Sequence, residues 1–187
     1  MLYDKLISIY QRNEFLRTNY DFELYYRRLS QYISLEVNQG NDYLSPFRFA
    51  KMFNDNLEDM IKFFLSISSP SDEGFVRIVY KYKCEDCGSL NFFSSSEVLD
   101  ENLVCENCSE NVFGNYLNND QFVFVFELSK NLKDEFKCLK INTLSNNDTD
   151  IGRGVSVKQV SDIIKERPEI NPQLSEVIQG YWDIAHG

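Results

Sequence analysis

Two short cysteine turns constrain this 187-residue chain more than any other feature: Cys84-Glu-Asp-Cys87 and, seventeen residues later, Cys105-Glu-Asn-Cys108. A CxxC turn presents two sulfurs to one side. Two such turns brought together supply four thiolates, the set that a tetrahedral Zn²⁺ takes. Small residues, Gly88 and Ser109, follow each second cysteine, easing the tight turn and letting backbone N–H groups approach sulfur. The intervening segment is long enough to form a hairpin that joins the turns. Iron would take the same four sulfurs, although the short distance between the turns favours zinc. A disulfide or redox pair is the other chemistry open to these residues.

Over roughly residues 80–128 the arrangement resembles the zinc ribbons, a class of folds rather than a functional family. The expected cofactor is one Zn²⁺ on Cys84, Cys87, Cys105 and Cys108. A catalytic zinc keeps an open position for water or substrate, whereas four cysteines close the shell, so a structural ion is expected. Its work is to hold together a β-hairpin region too small to bury enough apolar surface.

The first residues, MLYDKLISIYQRNEF, lack the basic start and continuous apolar stretch of a secretory signal. No apolar run approaches the about 18 residues that a membrane-spanning helix needs. Both points lead to an expected cytoplasmic location, where paired CxxC turns hold metal far more often than they form disulfides.

The periodicity predicts an α+β fold, with helical N- and C-terminal segments around a central antiparallel β region containing the ribbon. Residues 1–70 read as a helical region, 71–128 as the β-rich ribbon region and 129–187 as a second helical region, together one compact unit. The hydrophobic fraction of 43% is ample for such a core. Leu2, Leu6, Ile9 and Leu16 mark a first helix over 2–17. Phe22, Tyr26, Leu29, Ile33 and Val37 mark a second, which ends at Gly40-Asn41-Asp42. A third segment opens at Pro46 and carries Phe53, Leu57, Met60, Ile61, Phe64 and Leu65, with a kink expected near Asn54-Asp55-Asn56.

The period then changes to two. Phe75–Tyr82 reads as a strand running into Cys84, with Val76, Ile78, Tyr80 and Tyr82 opposite Arg77 and Lys81. Leu90–Phe93, Leu103–Val104 and the continuously apolar Phe122–Leu128 are further strands, the last central and buried. Ser129 is placed to cap a helix with Leu132, Phe136 and Leu139, and Asn142–Gly154 reads as a loop. Ser156 and Gln159 form a capping box for a helix that Pro168 ends, and Asn171-Pro172 opens the last helix, with Leu174, Val177, Ile178, Tyr181 and Trp182.

No active site is visible. The single histidine, His186, is the penultimate residue and a poor general base, and the deaminase pattern of His-x-Glu with Pro-Cys-x-x-Cys is absent. Cys138 reads as a core thiol on a helix. Asp120, Glu127 and Lys130 faintly resemble a metal-dependent nuclease set, but with the wrong spacing between acid and lysine. Gly152-Arg-Gly154 lacks the rest of a phosphate-binding motif.

Charge narrows the partners. Residues 84–128 hold nine acidic side chains and no basic one, whereas residues 1–83 hold eleven of each sign. Nucleic-acid binding depends on Lys and Arg at phosphates, so the ribbon is not expected to bind DNA or RNA. The one basic grouping is Arg27-Arg28 with Arg12 and Arg17, expected to pair with Asp21 and Glu23 on the helix surface. Phe92, Phe93, Phe113 and Tyr116, set among acids, are the candidates for docking a protein partner; the alternative is that they fill the ribbon's small core. The N-terminal helices, rich in Tyr and Phe, also offer a surface for forming a homo-oligomer or for docking on a larger protein. The expected role is a zinc-stabilised protein-interaction or accessory subunit of a multi-protein cytoplasmic system. In bacteria, small acidic proteins without an active site include regulators, antitoxin-like factors and accessory subunits of defence or mobile-element operons. The Asn-, Phe- and Tyr-heavy composition, of the kind that AT-rich coding gives, accords with that class. A metal-dependent nuclease or toxin-like enzyme is the first alternative, a nucleic-acid-binding regulator the second.

Overall fold

The computed structural model describes residues 1–71, 74–99, 103–111, 122–137 and 154–186, with the side chains of Ser96, Leu99 and 181–186 left aside. At the N-terminus the predicted first helix divides into α1 (Leu2–Arg12) and α2 (Glu14–Asn19). The divider is Asn13, whose extended backbone lets its side chain accept the Leu16 N–H at 3.1 Å while donating to the Ile170 carbonyl at 3.0 Å. A short polar side chain that bonds the backbone locally competes with helix continuation, and here it opens a new helix. α3 (Phe22–Asn38) is capped by Asp21 and buries Leu29, Ile33 and Val37 of the predicted stripe, with Phe22 and Tyr26 half-buried.

After β1 (Tyr43–Leu44), the third predicted segment also divides, into α4 (Pro46–Phe53) and α5 (Leu57–Ile67). The expected kink is a full break. Asn54 takes the left-handed conformation at φ 54°, and Asn56 caps α5 through the Asp59 N–H. Asparagine tolerates that conformation better than most residues, which suits it to end one helix and start the next.

β2 (Val76–Lys83) turns at the first cysteine pair into β3 (Leu90–Ser94), followed by α6 (Ser95–Leu99). β4 (Phe122–Leu128) runs antiparallel to β2 in full register, from Val76 opposite Leu128 to Tyr82 opposite Phe122. α7 (Lys130–Lys137), β5 (Val155–Ser156), α8 (Val157–Glu166), a 3₁₀ turn (Pro168–Ile170) and α9 (Pro172–His186) complete the chain. The five strands form one antiparallel sheet in the order β1-β4-β2-β3, with β5 also on β4, so the fold is α+β as predicted.

β4 is the central strand. Its second edge is shared by two short strands from distant parts of the chain: β1 opposite Phe126 and Glu127, and β5 opposite Val123 and Phe124. Gly154 makes the β5 pairing possible, because a Cβ there would lie 2.5 Å from the Phe124 carbonyl oxygen. On the buried face, Tyr80 packs on Phe124 (ring centroids 4.6 Å apart), Tyr82 on Phe122 (4.4 Å) and Phe64 of α5 on Phe126 (5.4 Å). These rings tie the helices to the sheet, and offset or tilted ring pairs of this kind add to their area burial.

Two expectations change in detail. Leu103–Val104 makes one bridge, Val104 to Asn111, rather than a strand. Ser129 precedes α7 as expected, but its buried hydroxyl has no partner among the described residues, and its carbonyl takes the Leu132 and Lys133 N–H groups instead. Ser156 and Asn171 do cap α8 and α9, through the Gln159 and Leu174 N–H groups. Cys138, Leu139 and Gly152 fall outside the described residues, as do the side chains of Tyr181, Trp182 and His186. Among the described residues no helix is long and apolar enough to cross a membrane.

Candidate metal centre

The two cysteine turns are built alike. In the first, the Gly88 N–H donates to the Cys84 carbonyl and the Cys84 N–H to the Ser89 carbonyl, both at 2.9 Å, with Lys83 and Leu90 paired just outside. In the second, the Ser109 N–H donates to the Cys105 carbonyl and the Cys105 N–H to the Glu110 carbonyl, both at 2.8 Å, with Val104 bridged to Asn111. Each turn is therefore the tip of a small hairpin, and the backbone fixes where its two sulfurs point.

The four sulfurs lie within 4.8 Å of one another. Cys84 Sγ is 3.6 Å from Cys108 Sγ, and Cys87 Sγ is 3.6 Å from Cys105 Sγ. A disulfide would need about 2.05 Å, so these are free thiols. An ion about 2.3 Å from each of four tetrahedral sulfurs sets them roughly 3.8 Å apart, and the observed pairs match that spacing. Both close pairs cross between the turns. Cys84 and Cys105 are buried against the core while Cys87 and Cys108 face solvent, so the centre sits at the end of the sheet, half in and half out.

The surroundings favour thiolate at Cys87 and Cys105. The Ser89 hydroxyl lies 2.9 Å from Cys87 Sγ and 3.2 Å from Cys105 Sγ. That hydroxyl, followed by the Cys108 backbone N–H, holds Cys105 at about 5. Cys87 is also lowered, by Ser89 and then by the Asn107 side chain. Cys108 goes the other way, to about 12: the Glu110 N–H lowers it, but lost solvation and the three neighbouring thiols outweigh that bond. Four thiolates so close repel one another, and a divalent cation among them removes that repulsion. The donor set and spacing thus fit a metal ion, and among the described residues this is the group of His, Cys, Asp and Glu side chains able to hold one.

Around the centre, Glu85, Asp86, Glu106 and Glu110 are all exposed. Of the predicted docking aromatics, Phe93 is 5% exposed and faces the core opposite Tyr80, while Phe92 points outward at 37% and stacks on Tyr43 (centroids 5.2 Å apart). Phe113 and Tyr116 lie outside the described residues. Among the described residues of the ribbon, the most exposed large apolar side chains are instead Leu90 (55%) and Val104 (45%), each the residue flanking a cysteine turn. Ser89 and Asn91, which bond the ligand sulfurs, were also missed. For Asn91 the one signal is a polar residue interrupting the strand pattern at Leu90–Phe93; Ser89, before that strand, has none.

Other predicted groups have structural partners. Glu127 forms an ion pair with Arg77 across β2 and β4. Arg28 pairs with Asp55 at 2.7 Å, rather than with Asp21 or Glu23, and lies over the Tyr25 and Phe53 rings. Arg12 and Arg27 bond helix carbonyls one turn back, and Arg17 bonds the Tyr10 carbonyl. An open cleft of about 1030 Å³ lies between α1, α2 and the 3₁₀ turn, lined by residues such as Lys5, Arg12, Glu14 and Glu169, with no ligand cysteine in its walls. No protein-family model matches the chain, and neither a curated protein nor a solved structure does.

Proposed function

We propose that the four cysteines hold one structural Zn²⁺, and that the chain is a zinc-stabilised interaction or accessory subunit of a cytoplasmic assembly. Its ribbon offers a basic protein partner an acidic surface with apolar points. The observation that carries this reading is the closed set of four sulfurs on two matched turns. Such a shell leaves no position for water or substrate, so the ion contributes folding energy rather than chemistry. Thiols held reduced at this spacing suit a reducing compartment.

The surface supports the partner's chemistry. Leu90 and Val104 stand exposed beside Glu85, Asp86, Glu106 and Glu110. A phosphate backbone is repelled there, while a basic segment carrying an apolar side chain is attracted and anchored. Glu127, engaged with Arg77, supports a structural role for the one described carboxylate of the nuclease-like set.

Metal analysis and absorbance of the purified chain test the first half: about one colourless zinc per chain is expected. A red, iron-bearing protein would overturn the zinc assignment. For the second half, tagged chain is recovered from its native host as wild type and as the Leu90→Asp/Val104→Asp variant. A basic protein that salt releases, and that the variant loses, is the expected result. A partner retained equally by both, or nucleic acid in its place, would overturn the proposed surface.

A further inference from the structure

We infer that Asn91 is a positioning residue for the metal, holding the second cysteine turn against β3 while donating to one ligand sulfur; this rests on the metal reading above. Asn91 follows Leu90 on β3, and its side chain is 2% exposed on the inner face. Its Oδ1 accepts the Glu106 N–H at 3.0 Å. Its Nδ2 stands 3.6 Å from Cys105 Sγ and 3.3 Å from the Ser89 carbonyl oxygen. One buried amide thus joins the exit of the first turn to the backbone and a sulfur of the second.

The physical consequence is coupling. A buried amide whose partners leave is desolvated without bonds, so separation of the two turns is opposed before any metal arrives. The two halves of the ligand set are thereby held at the spacing the ion needs, and less ordering remains for binding to supply. Once Cys105 is a thiolate, the N–H···S contact becomes charge-assisted. The Ser89 hydroxyl, 3.2 Å from the same sulfur, joins Asn91 in orienting it. This accounts for a polar residue on the buried side of an aromatic strand, where local pattern alone calls for an apolar one.

The test uses the full chain, stripped of metal, loaded with Co²⁺ and then titrated with Zn²⁺, as wild type, Asn91→Asp, Asn91→Ala and Ser89→Ala. Asn91→Asp keeps the size and the acceptor for the Glu106 N–H, but turns a carboxylate oxygen toward Cys105 Sγ. Both Asn91 variants are expected to bind metal about 10- to 100-fold more weakly. Their sulfur-to-cobalt charge-transfer band should shift, while the ligand-field bands of a four-sulfur tetrahedron stay in place. Ser89→Ala should move both readouts in the same direction. A role confined to packing would lower thermal stability without moving the charge-transfer band. Asn91→Asp binding both ions as tightly as wild type, with an unmoved band, overturns the inference even if Asn91→Ala fails to fold. A wild-type chain that takes up neither ion removes the metal reading itself, and the inference with it.

Discussion

Gly88 and Ser109 occupy equivalent places in the two cysteine turns and share one left-handed backbone conformation, at φ 72° and 60°. Only glycine takes it without a steric cost, which for other residues is about 1–2 kcal/mol. Nothing lies within 4 Å of a Cβ built on Gly88, so substitution there is opposed by the backbone alone. Gly88→Ala should therefore destabilise the metal-loaded protein by about 1 kcal/mol, and Ser109→Gly should stabilise it by up to about the same amount. Urea unfolding of both variants checks this. Effects of opposite sign are expected; two losses would contradict the matched-turn description.

The four candidate ligands should not be equivalent in folding, although substitution of any one breaks the four-sulfur set. Cys84 and Cys105 are 2% and 0% exposed, whereas Cys87 and Cys108 face solvent. Cys→Ser at the buried pair also places a hydroxyl in the core, at a further cost of about 1–3 kcal/mol. Chemical unfolding of the four single variants in chelator, where no metal contributes, should rank Cys84→Ser and Cys105→Ser below the other two. Four equal midpoints would disprove the ranking.

Away from the metal, Glu36 and Arg48 form a buried ion pair, at 0% and 6% exposure, with Asn41 donating to Glu36 at 2.6 Å. Burial pushes the Glu36 carboxyl above its ordinary value, while Asn41 and Arg48 pull it back. A folded pKa above the unfolded one means that the protonated form favours folding. The burial cost is thus absent at low pH and is felt as pH rises through the folded value. Arg48→Met leaves the carboxylate unpaired and should cost about 3–5 kcal/mol near neutrality. The cost should shrink as Glu36 takes up a proton. Unfolding free energies of both proteins across the acid range test this, and a penalty independent of pH would refute it.

Tyr43 and Phe92 stack with their planes 6° apart, although β1 and β3 lie at opposite edges of the sheet order. The pair spans the outward face, where Val125 is only 1% exposed. A double-mutant cycle with Tyr43→Ala and Phe92→Ala should give a coupling of about 0.5–1.5 kcal/mol. No coupling would mean that Phe92 is held by something other than Tyr43.

Much of the secondary structure was legible because it depends on short-range periodicity. The stripe Leu29, Ile33 and Val37 and the apolar run Phe122–Leu128 are buried as their spacing requires. The helix breaks at Asn13 and Asn54 were less so, because asparagine is tolerated within helices and its capping role appears only when a neighbouring element fixes the approach. For Asn13 that element is the 3₁₀ turn, through the Ile170 carbonyl. β1 and β5 were not legible at all. Two residues carry no period, and their extended form exists only because β4 offers its edge.

At the candidate site, the sequence by itself determined which four side chains are the candidate ligands. The geometry of a CxxC turn is local, so residue type and spacing name Cys84, Cys87, Cys105 and Cys108 without reference to the rest of the fold. It also determined the charge around them, since acids count the same wherever they lie. Tertiary structure alone decided which neighbours serve the sulfurs and which side chains reach solvent. Alternation requires Phe92 and Phe93 to face opposite ways, but only the register of Phe93 with Tyr80 says which is buried. Asn91 likewise becomes a partner of Glu106 and Cys105 only when the two hairpins meet, because hydrogen bonds across such separations are set by packing and not by propensity.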